Sequence, residues 1–337
     1  MGTKFPVNSR SPIPNRQLKV GVLMGGIGQE RDISIQSGRC IAEAMEKAGL
    51  NVAAADVRPD HLEILDDDGI DVFFLALHGK FGEDGQLQQI LEDRSLLYTG
   101  SGPAASRLAF DKIAGKKAFA RAGVATASAI ELNAGTDIRK FQNQLRQLGD
   151  KYVIKPIRQG SSIGVTIVSD PDEAAAAAKE TLRNFGDCMV ENFVPGREVT
   201  VGILCGQALP VIEIRPQTGF YNYHAKYLDE RTEFLFDTIT DAAVINKIET
   251  AAIDCFDALG CRHFARADFI LSGEGIPYAL EVNTIPGFTS HSLLPKAAAK
   301  AGLSMSELCV KIVEAALAGP AKAVSRPVVK PISHNKR

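Results

Sequence analysis

No stretch of this sequence approaches the roughly 18 consecutive apolar residues that a membrane-spanning helix needs, so no bilayer crossing is expected. Charge of one sign is also lacking. Lys and Arg number 38 against 40 Asp and Glu, a formal net charge of -2, which leaves no basic field for nucleic acid. The six cysteines (Cys40, Cys188, Cys205, Cys255, Cys261 and Cys309) form no CxxC pair and no recognisable framework. That pattern fits reduced thiols in a cytoplasm. Residues 1–17 hold Pro6, Pro12 and Pro14 but no apolar core of a secretory signal. They read as a disordered arm, and residues 319–337 read as a mildly basic disordered tail. Two phosphate-binding signatures are missing as well. The glycine turn Gly25-Gly26-Ile27-Gly28 is not a dinucleotide GxGxxG, and no GK[ST] opens a helix as in a P-loop.

What is present describes an ordinary globular chain: 337 residues, 45% hydrophobic and 23% charged, enough for two or three domains. Three blocks follow from the patterning. In residues 18–100, the apolar run from Val20 to Met24 enters the glycine turn. Helical spacing then runs from Ile33 to Ala48, with Gly49 as a stop, and strands are expected near 52–55 and 72–77. This alternation implies a parallel sheet with helices on its faces. Ligands of such sheets sit at the carboxyl ends of the strands, which gathers Gly25, Gly26, Glu30, His78 and Gly79 around one crevice.

Residues 101–190 form the second block. A helix is expected from Phe110-Asp111-Lys112 to Gly123, and strands at 152–156 and 165–168. The loop between those strands, Arg158-Gln-Gly160-Ser161-Ser162-Ile-Gly164, is small and flexible. Such a loop aims successive backbone N–H groups at phosphate oxygens, and Lys155 adds a point charge at its edge; a purely structural loop is the alternative. An alanine-rich helix covers 170–183. The third block, residues 191–318, has a strand at 199–204, the acids Glu191 and Glu198 before it, and amphipathic closing helices at 251–259 and 305–316. Its aromatic stretch Phe220-Tyr-Asn-Tyr-His-Ala-Lys226-Tyr227 reads as a lid over a phosphate site, or as a packed hairpin.

The most informative segment lies between Arg266-Ala-Asp268 and Glu281-Val-Asn283-Thr-Ile-Pro-Gly287. It reads as two strands joined by a turn at Glu274-Gly275. With the turn there, Asp268 faces Glu281 and Arg266 faces Asn283, all on one side of the ribbon. The opposite side, expected in the core, carries Ala267, Phe269, Leu271, Tyr278, Leu280 and Val282. Two carboxylates directly opposed destabilise a hairpin unless something compensates. A hard cation with oxygen ligands is the simplest candidate, so Asp268, Glu281 and Asn283 are expected to bind metal.

Taken in order, these motifs resemble the D-alanine–D-alanine ligase family of the ATP-grasp superfamily. The resemblance runs from about Lys19 to Ala316. It is carried by Gly25-Gly-Ile-Gly-Gln-Glu30-Arg31-Asp-Ile-Ser34, Leu77-His78-Gly79 with Gly82-Glu-Asp-Gly85, Tyr98-Thr-Gly-Ser-Gly102 and Asp111-Lys112. Lys155-Pro-Ile-Arg-Gln-Gly160-Ser161-Ser162, Glu191, Glu198, Ala225-Lys226-Tyr227, Arg266-Ala-Asp268 and Glu281-Val-Asn283 through Gly287-Phe-Thr-Ser290-His-Ser292-Leu293 complete the set. Asn192 stands where a lysine is frequent in the family, and Gln159 where an acid is.

The resemblance implies a three-domain ATP-grasp fold, an N-terminal parallel α/β domain with two α+β domains clasping ATP. It implies phosphate contacts from Lys112, Lys155, Lys226 and the Gly160-Ser161-Ser162 loop. Adenine would meet Glu191 and the backbone at Val194, and ribose Glu198. Two Mg²⁺ ions, replaceable by Mn²⁺, would lie on Asp268, Glu281 and Asn283. Glu30 would pair with the ammonium of the first D-alanine, and Ser292 and Leu293 with the carboxylate of the second; Ser34 and His78 fall in the same substrate-binding set. Arg266 and Gly287 would stabilise an oxyanion. Ser161, Tyr227 and Glu30 would link the lid to the site. The implied activity is ATP-dependent joining of two D-alanines through an acyl phosphate for peptidoglycan, by a cytoplasmic homodimer. Lys226-Tyr227 favours an amine as second nucleophile. D-lactate or D-serine in that place, and a nucleotide-binding regulator without catalysis, are the alternatives.

Overall fold

The computed structural model describes residues 18–217 and 231–319. Three sheets organise them. The first is parallel, order β2-β1-β3, built from β1 (Lys19–Gly25), β2 (Asn51–Val57) and β3 (Val72–Leu75). Helix α1 (Arg31–Lys47) covers one face. β3 is buried throughout, as the continuous apolar run Val72-Phe-Phe-Leu requires of a strand packed on both sides. The short helix α2 (Gln86–Asp93) follows, and its Leu87 and Leu91 fill the other face.

Asp111 divides two helices, α3 (Pro103–Phe110) and α4 (Lys112–Arg121). Its carboxylate accepts from the N–H of Ala114 and so starts α4 afresh, satisfying one donor of the new helix. Sequence patterning gave only the second of these helices. The next sheet is antiparallel, order β4-β7-β5-β6, from β4 (Ala129–Leu132), β5 (Tyr152–Pro156), β6 (Thr166–Val168) and β7 (Cys188–Asn192). It is backed by α5 (Ile138–Leu148), which patterning also left out, and by α6 (Pro171–Phe185). Asp170 caps α6 with bonds to the N–H groups of Asp172 and Glu173, and Pro171 opens it, a pairing that fixes the start.

The third sheet runs β11-β10-β8-β12-β13, with β9 paired to β8. Its strands are β8 (Gly196–Leu204), β9 (Gln207–Ala208), β10 (Ile212–Arg215), β11 (Glu233–Leu235), β12 (Phe264–Ser272) and β13 (Pro277–Asn283). Helix α7 (Ala242–Leu259) packs on its core face with α4. Two helices close the chain, α8 (Leu293–Lys300) and α9 (Met305–Leu317). They do not stay with the third sheet alone. α9 packs on α1, and Phe288 sits edge-on to Phe74 (5.5 Å) and Phe264 (5.8 Å), so one continuous core joins the first sheet to the third.

The β12–β13 pairing has the expected register at its functional end: Arg266 opposite Asn283 and Asp268 opposite Glu281. Beyond Asp268 the register shifts by one, and Phe269 meets Ala279. Leu280 is the extra residue of a bulge. Because side chains alternate with period 2, one extra residue exchanges the faces. Ala279 takes the core position, and Tyr278 and Leu280, expected in the core, instead line the cavity beside Asp268. No helix among the described residues is long and apolar enough to cross a membrane. All six cysteines are free thiols. The lid stretch around Lys226 and Tyr227 lies outside the described residues.

Candidate active site

A cavity of about 420 Å³ separates the second sheet from the third. Val153, Ile167, Ile270, Tyr278 and Leu280 give it apolar walls, and Lys112, Lys155, Ser162, Glu191, Val194, Glu198, Asp268 and Glu281 give it polar ones. β5 and β7 place Val153 opposite Glu191 and Lys155 opposite Met189. Lys155 and Glu191 are thus diagonal neighbours on one face, within reach of each other. Lys155 Nζ lies 2.6 Å from Glu191 Oε2. On the other oxygen, Oε1, sits Lys116 Nζ at 2.5 Å. Lys116 stands one helical turn after Lys112, so both project from one side of α4. Burial opposes charge on Glu191, but Lys155 and Lys116 outweigh it and hold its carboxyl below the usual range. Burial also pulls Lys116 below an ordinary lysine.

A smaller cavity of about 120 Å³ opens beside the first. Lys112 and Glu281 line both, 3.0 Å apart, and so mark the junction. Lys112 also donates to the carbonyl of Gln159 at 2.7 Å. Around the small cavity stand Glu30, His78, Gly160, Ser161, Arg266, Asn283, Gly287, Ser292 and Leu293. Glu30 precedes α1 without capping it. Its carboxylate accepts from Ser161 Oγ instead, which ties the small loop to the first sheet. Ser161 and Ser162 both have left-handed backbones, φ 53° and 57°, a conformation that costs non-glycine residues about 1–2 kcal/mol each. Gly160 permits the approach: a Cβ there would lie 3.0 Å from Glu30 Oε2.

Arg266 donates from Nε and Nη2 to the two oxygens of Asp268, at 2.9 and 2.7 Å. Thr200, opposite Asp268 in the β8–β12 ladder, donates to the same carboxylate at 2.6 Å. The guanidinium is therefore fixed in plane rather than swinging. His78 donates through Nδ1 to the carbonyl of Ile285 (3.0 Å), the only role a carbonyl partner allows; Nε2 then accepts from Ser37 Oγ at 3.2 Å. Ser37 in turn accepts from the N–H of Phe288 at 3.2 Å. Burial pushes His78 down to about 4, so the ring is neutral. A Cβ at Gly287 would lie 2.7 Å from Ser292 Oγ, which leaves this backbone open to whatever occupies the cavity.

The two cavities thus meet at the ion pair of Lys112 with Glu281. The chain matches the family model "D-ala D-ala ligase C-terminus" over residues 119–314. It is 42% identical over 301 residues to the D-alanine–D-alanine ligase of Syntrophotalea carbinolica, covering 89% of this chain and 97% of that one. The chain belongs to the D-alanine–D-alanine ligase family. A crystal structure of D-alanine–D-alanine ligase from Bacillus anthracis superposes with a TM-score of 0.81 at 36% identity, over 89% of this chain and 98% of that one. Another from the same organism, in complex with ATP, gives 0.78 at 32% identity over the same shares.

Within this ATP-grasp ligase frame, some expected residues fall elsewhere. Ser34 does not line either cavity. Its Oγ accepts from the N–H of Gly25 (2.8 Å) and donates to the carbonyl of Ala76 (2.9 Å), bracing the end of β1. Gly25 and Gly26 likewise stand back from the cavity, with Arg31 donating to the carbonyl of Gly26. Other residues joined the site unannounced. Lys116 had a signal, its four-residue spacing from Lys112. Ser37, one helical turn after Ser34, had one too. Thr200 had none, because only the strand ladder brings it to Asp268. The same is true of Glu213, a buried acid at the outer end of the large cavity, which binds Arg197 and Arg215.

Among the described residues no group of three His, Cys, Asp or Glu side chains converges on a metal position. The donor set at the junction still suits a hard divalent ion: two opposed carboxylates, Asp268 and Glu281, with Asn283 beside them. Magnesium takes one or two carboxylates and completes its shell from phosphate and water, which this set leaves room for. Arg266 and Lys112 hold the two carboxylates in place meanwhile.

Proposed function

We propose that this ATP-dependent ligase joins two D-alanine molecules into D-alanyl-D-alanine, with release of ADP and phosphate. The observation that carries the reading is that the two cavities adjoin, sharing Lys112, Gln159 and Glu281 as a common wall. A nucleotide in the large one sends its terminal phosphoryl to the mouth of the small one, where Glu30, Arg266, Gly287 and Ser292 face a substrate with both an ammonium and a carboxylate.

Adenine meets Glu191 and the backbone at Val194, ribose meets Glu198, and Lys112, Lys155 and the Gly160-Ser161-Ser162 loop hold the phosphates. Asp268, Glu281 and Asn283 hold Mg²⁺, two ions in the full site, with Mn²⁺ able to replace it; bound there, the metal neutralises phosphate charge. The first D-alanine pairs its ammonium with Glu30 and presents its carboxylate to the γ-phosphoryl, giving an acyl phosphate. The second D-alanine, gripped by Ser292 and the backbone at Leu293, attacks the acyl carbon. Arg266 and the N–H of Gly287 stabilise the oxyanion, and their advantage comes from being fixed before charge develops. The site must be closed to water, which would hydrolyse an acyl phosphate. Lys226 and Tyr227 serve from the lid, Lys226 on the γ-phosphate and Tyr227 with Ser161 and Glu30. His78 backs the cavity as a neutral group and Ser34 supports it from behind. The product is a peptidoglycan precursor, made in the cytoplasm by a homodimer.

A second substrate of D-lactate or D-serine is not favoured, since curated relatives near 40% identity are D-alanine–D-alanine ligases. Phosphate release with ATP, Mg²⁺ and each enantiomer of alanine tests the reading. Release with D-alanine and not with L-alanine is expected. Release independent of either, or preferential ester formation with D-lactate near neutrality, would overturn it.

A further inference from the structure

Glu83 belongs to the Gly82-Glu-Asp-Gly85 motif, yet the reaction above gives it no part. Its geometry is unusual for a structural acid. The N–H of Glu83 donates to the carbonyl of Gly79 at 2.8 Å, and its Oε2 accepts back from the N–H of Gly79 at 2.7 Å. This reciprocal clip fixes the direction of the carboxyl group. The other oxygen, Oε1, is shut off from solvent and has no hydrogen-bond partner among the described residues. Glu83 lines the small cavity, which also holds Glu30, His78, Arg266 and Glu281. An acid serving only to close the Gly79 turn would leave that oxygen desolvated with no compensating bond. A cationic N–H group in the cavity supplies that bond.

We infer that Glu83 is the proton acceptor for the amine of the second amino acid, a role that rests on the ligase reading above. The second D-alanine arrives as an ammonium and cannot attack until it loses a proton. In the step, Glu83 Oε1 takes one proton from that ammonium and becomes a neutral carboxyl. The nitrogen lone pair forms the C–N bond, and the acyl C–O bond to phosphate breaks. The phosphate leaves with that electron pair and takes the second nitrogen proton, and the peptide nitrogen keeps the third. Glu30 is not the better choice, because Ser161 already occupies it and the first ammonium claims the rest. Arg266 and Lys112 are cations, and the one basic nitrogen of His78, Nε2, is taken up by Ser37 Oγ, so none of these is placed to accept. His291, on the rim, stands in the stretch before α8 and outside the Gly79 clip. Burial, then the negative charge of Glu30, raises the Glu83 carboxyl well above the ordinary range, with Arg266 opposing. A raised value suits a base.

The test compares two nucleophiles on the same acyl phosphate. Hydroxylamine is unprotonated at neutral pH and needs no base, whereas D-alanine does. In Glu83→Gln, D-alanine hydroxamate formation should stay within about threefold of wild type. Dipeptide formation should fall roughly 10²-fold or more at neutral pH, and the deficit should shrink as pH rises toward the amine's own pKa. If Glu83→Gln does not fold, Glu83→Asp, which withdraws the carboxylate by one methylene, should show the same split with a smaller loss. Equal loss of both products, or a dipeptide deficit that stays constant with pH, would overturn the assignment. Absence of both products from the wild-type protein would instead overturn the ligase reading, and the assignment with it.

Discussion

The buried charge cluster at Glu191 makes a prediction whose sign is unexpected. Lys116 and Lys155 flank one carboxylate at 2.5 and 2.6 Å, and the three side chains are only 7%, 9% and 3% exposed. The cluster therefore carries one net positive charge out of water. Changing Lys116 to Met leaves a neutral Lys155–Glu191 pair and keeps an apolar stem of similar length. The lost attraction is largely offset by relief of the repulsion between the two ammonium groups and of the burial of one of them. A change of about 1 kcal/mol or less is expected. Changing Glu191 to Gln leaves two ammonium groups facing each other with no counter-charge. At a separation of about 5 Å and an effective dielectric constant of about 20, their repulsion alone is roughly 3 kcal/mol. Loss of a buried partner brings the cost to about 3–5 kcal/mol. At about 2–4 °C per kcal/mol, Glu191→Gln should lower the melting temperature by roughly 10 °C, and Lys116→Met by no more than a few degrees. The double variant should melt above Glu191→Gln alone. These comparisons are made by thermal unfolding without nucleotide. Equal destabilisation by the two single changes, or a double variant as unstable as their sum, would refute the charge count. The pH dependence has a defined sign. The carboxyl of Glu191 is depressed in the folded protein, so its contribution is full above the unfolded value near 4.3 and is lost as pH falls through the folded value. Stability of Glu191→Gln relative to wild type should therefore improve in acid, and again in alkali, where loss of a proton from the depressed Lys116 removes the repulsion.

Three further outcomes are expected. Arg266→Ala should lower turnover by roughly 10²–10³ while the protein stays folded, as loss of one oxyanion donor does; near-normal turnover would count against Arg266 in that role. Gly79→Ala should raise the Michaelis constant for the first D-alanine roughly tenfold or more. Residue 79 has φ +67°, and a Cβ would lie 2.4 Å from Glu30 Oε2, so the Glu30 carboxylate must move; initial rates against D-alanine check it. Chelation of divalent ions should reduce phosphate release to background, with Mg²⁺ restoring it and Mn²⁺ replacing Mg²⁺. Activity in excess chelator would remove Asp268 and Glu281 from metal binding.

Much of this protein was legible in one dimension because its information is local. The opposed pairs Arg266–Asn283 and Asp268–Glu281 needed only a turn at Glu274-Gly275 and a two-residue period, and both pairs are found. The lysines at 112 and 155, Ser162 and the acids at 191 and 198 were likewise singled out by residue type and order, and all five line the large cavity. The second helix of the pair divided by Asp111 was readable for the same reason, whereas α5 and α8 were passed over.

Tertiary structure decided whatever depends on two distant segments meeting. The bulge at Leu280 is set by how β13 packs, and no alternation pattern reveals one extra residue; it moved Tyr278 and Leu280 from the core to the cavity wall. Thr200 reaches Asp268 only through the ladder between β8 and β12. Glu83, one acid in a glycine-rich turn, gains meaning only when Gly79 fixes it and the seam between the first and third sheets closes over it. Sequence alone supplied the reactive groups and their strands, because covalent neighbours and periodicity specify those. Folding supplied the burial, which turns a carboxylate into a base and a lysine pair into a clamp, because desolvation is a property of the whole packed chain.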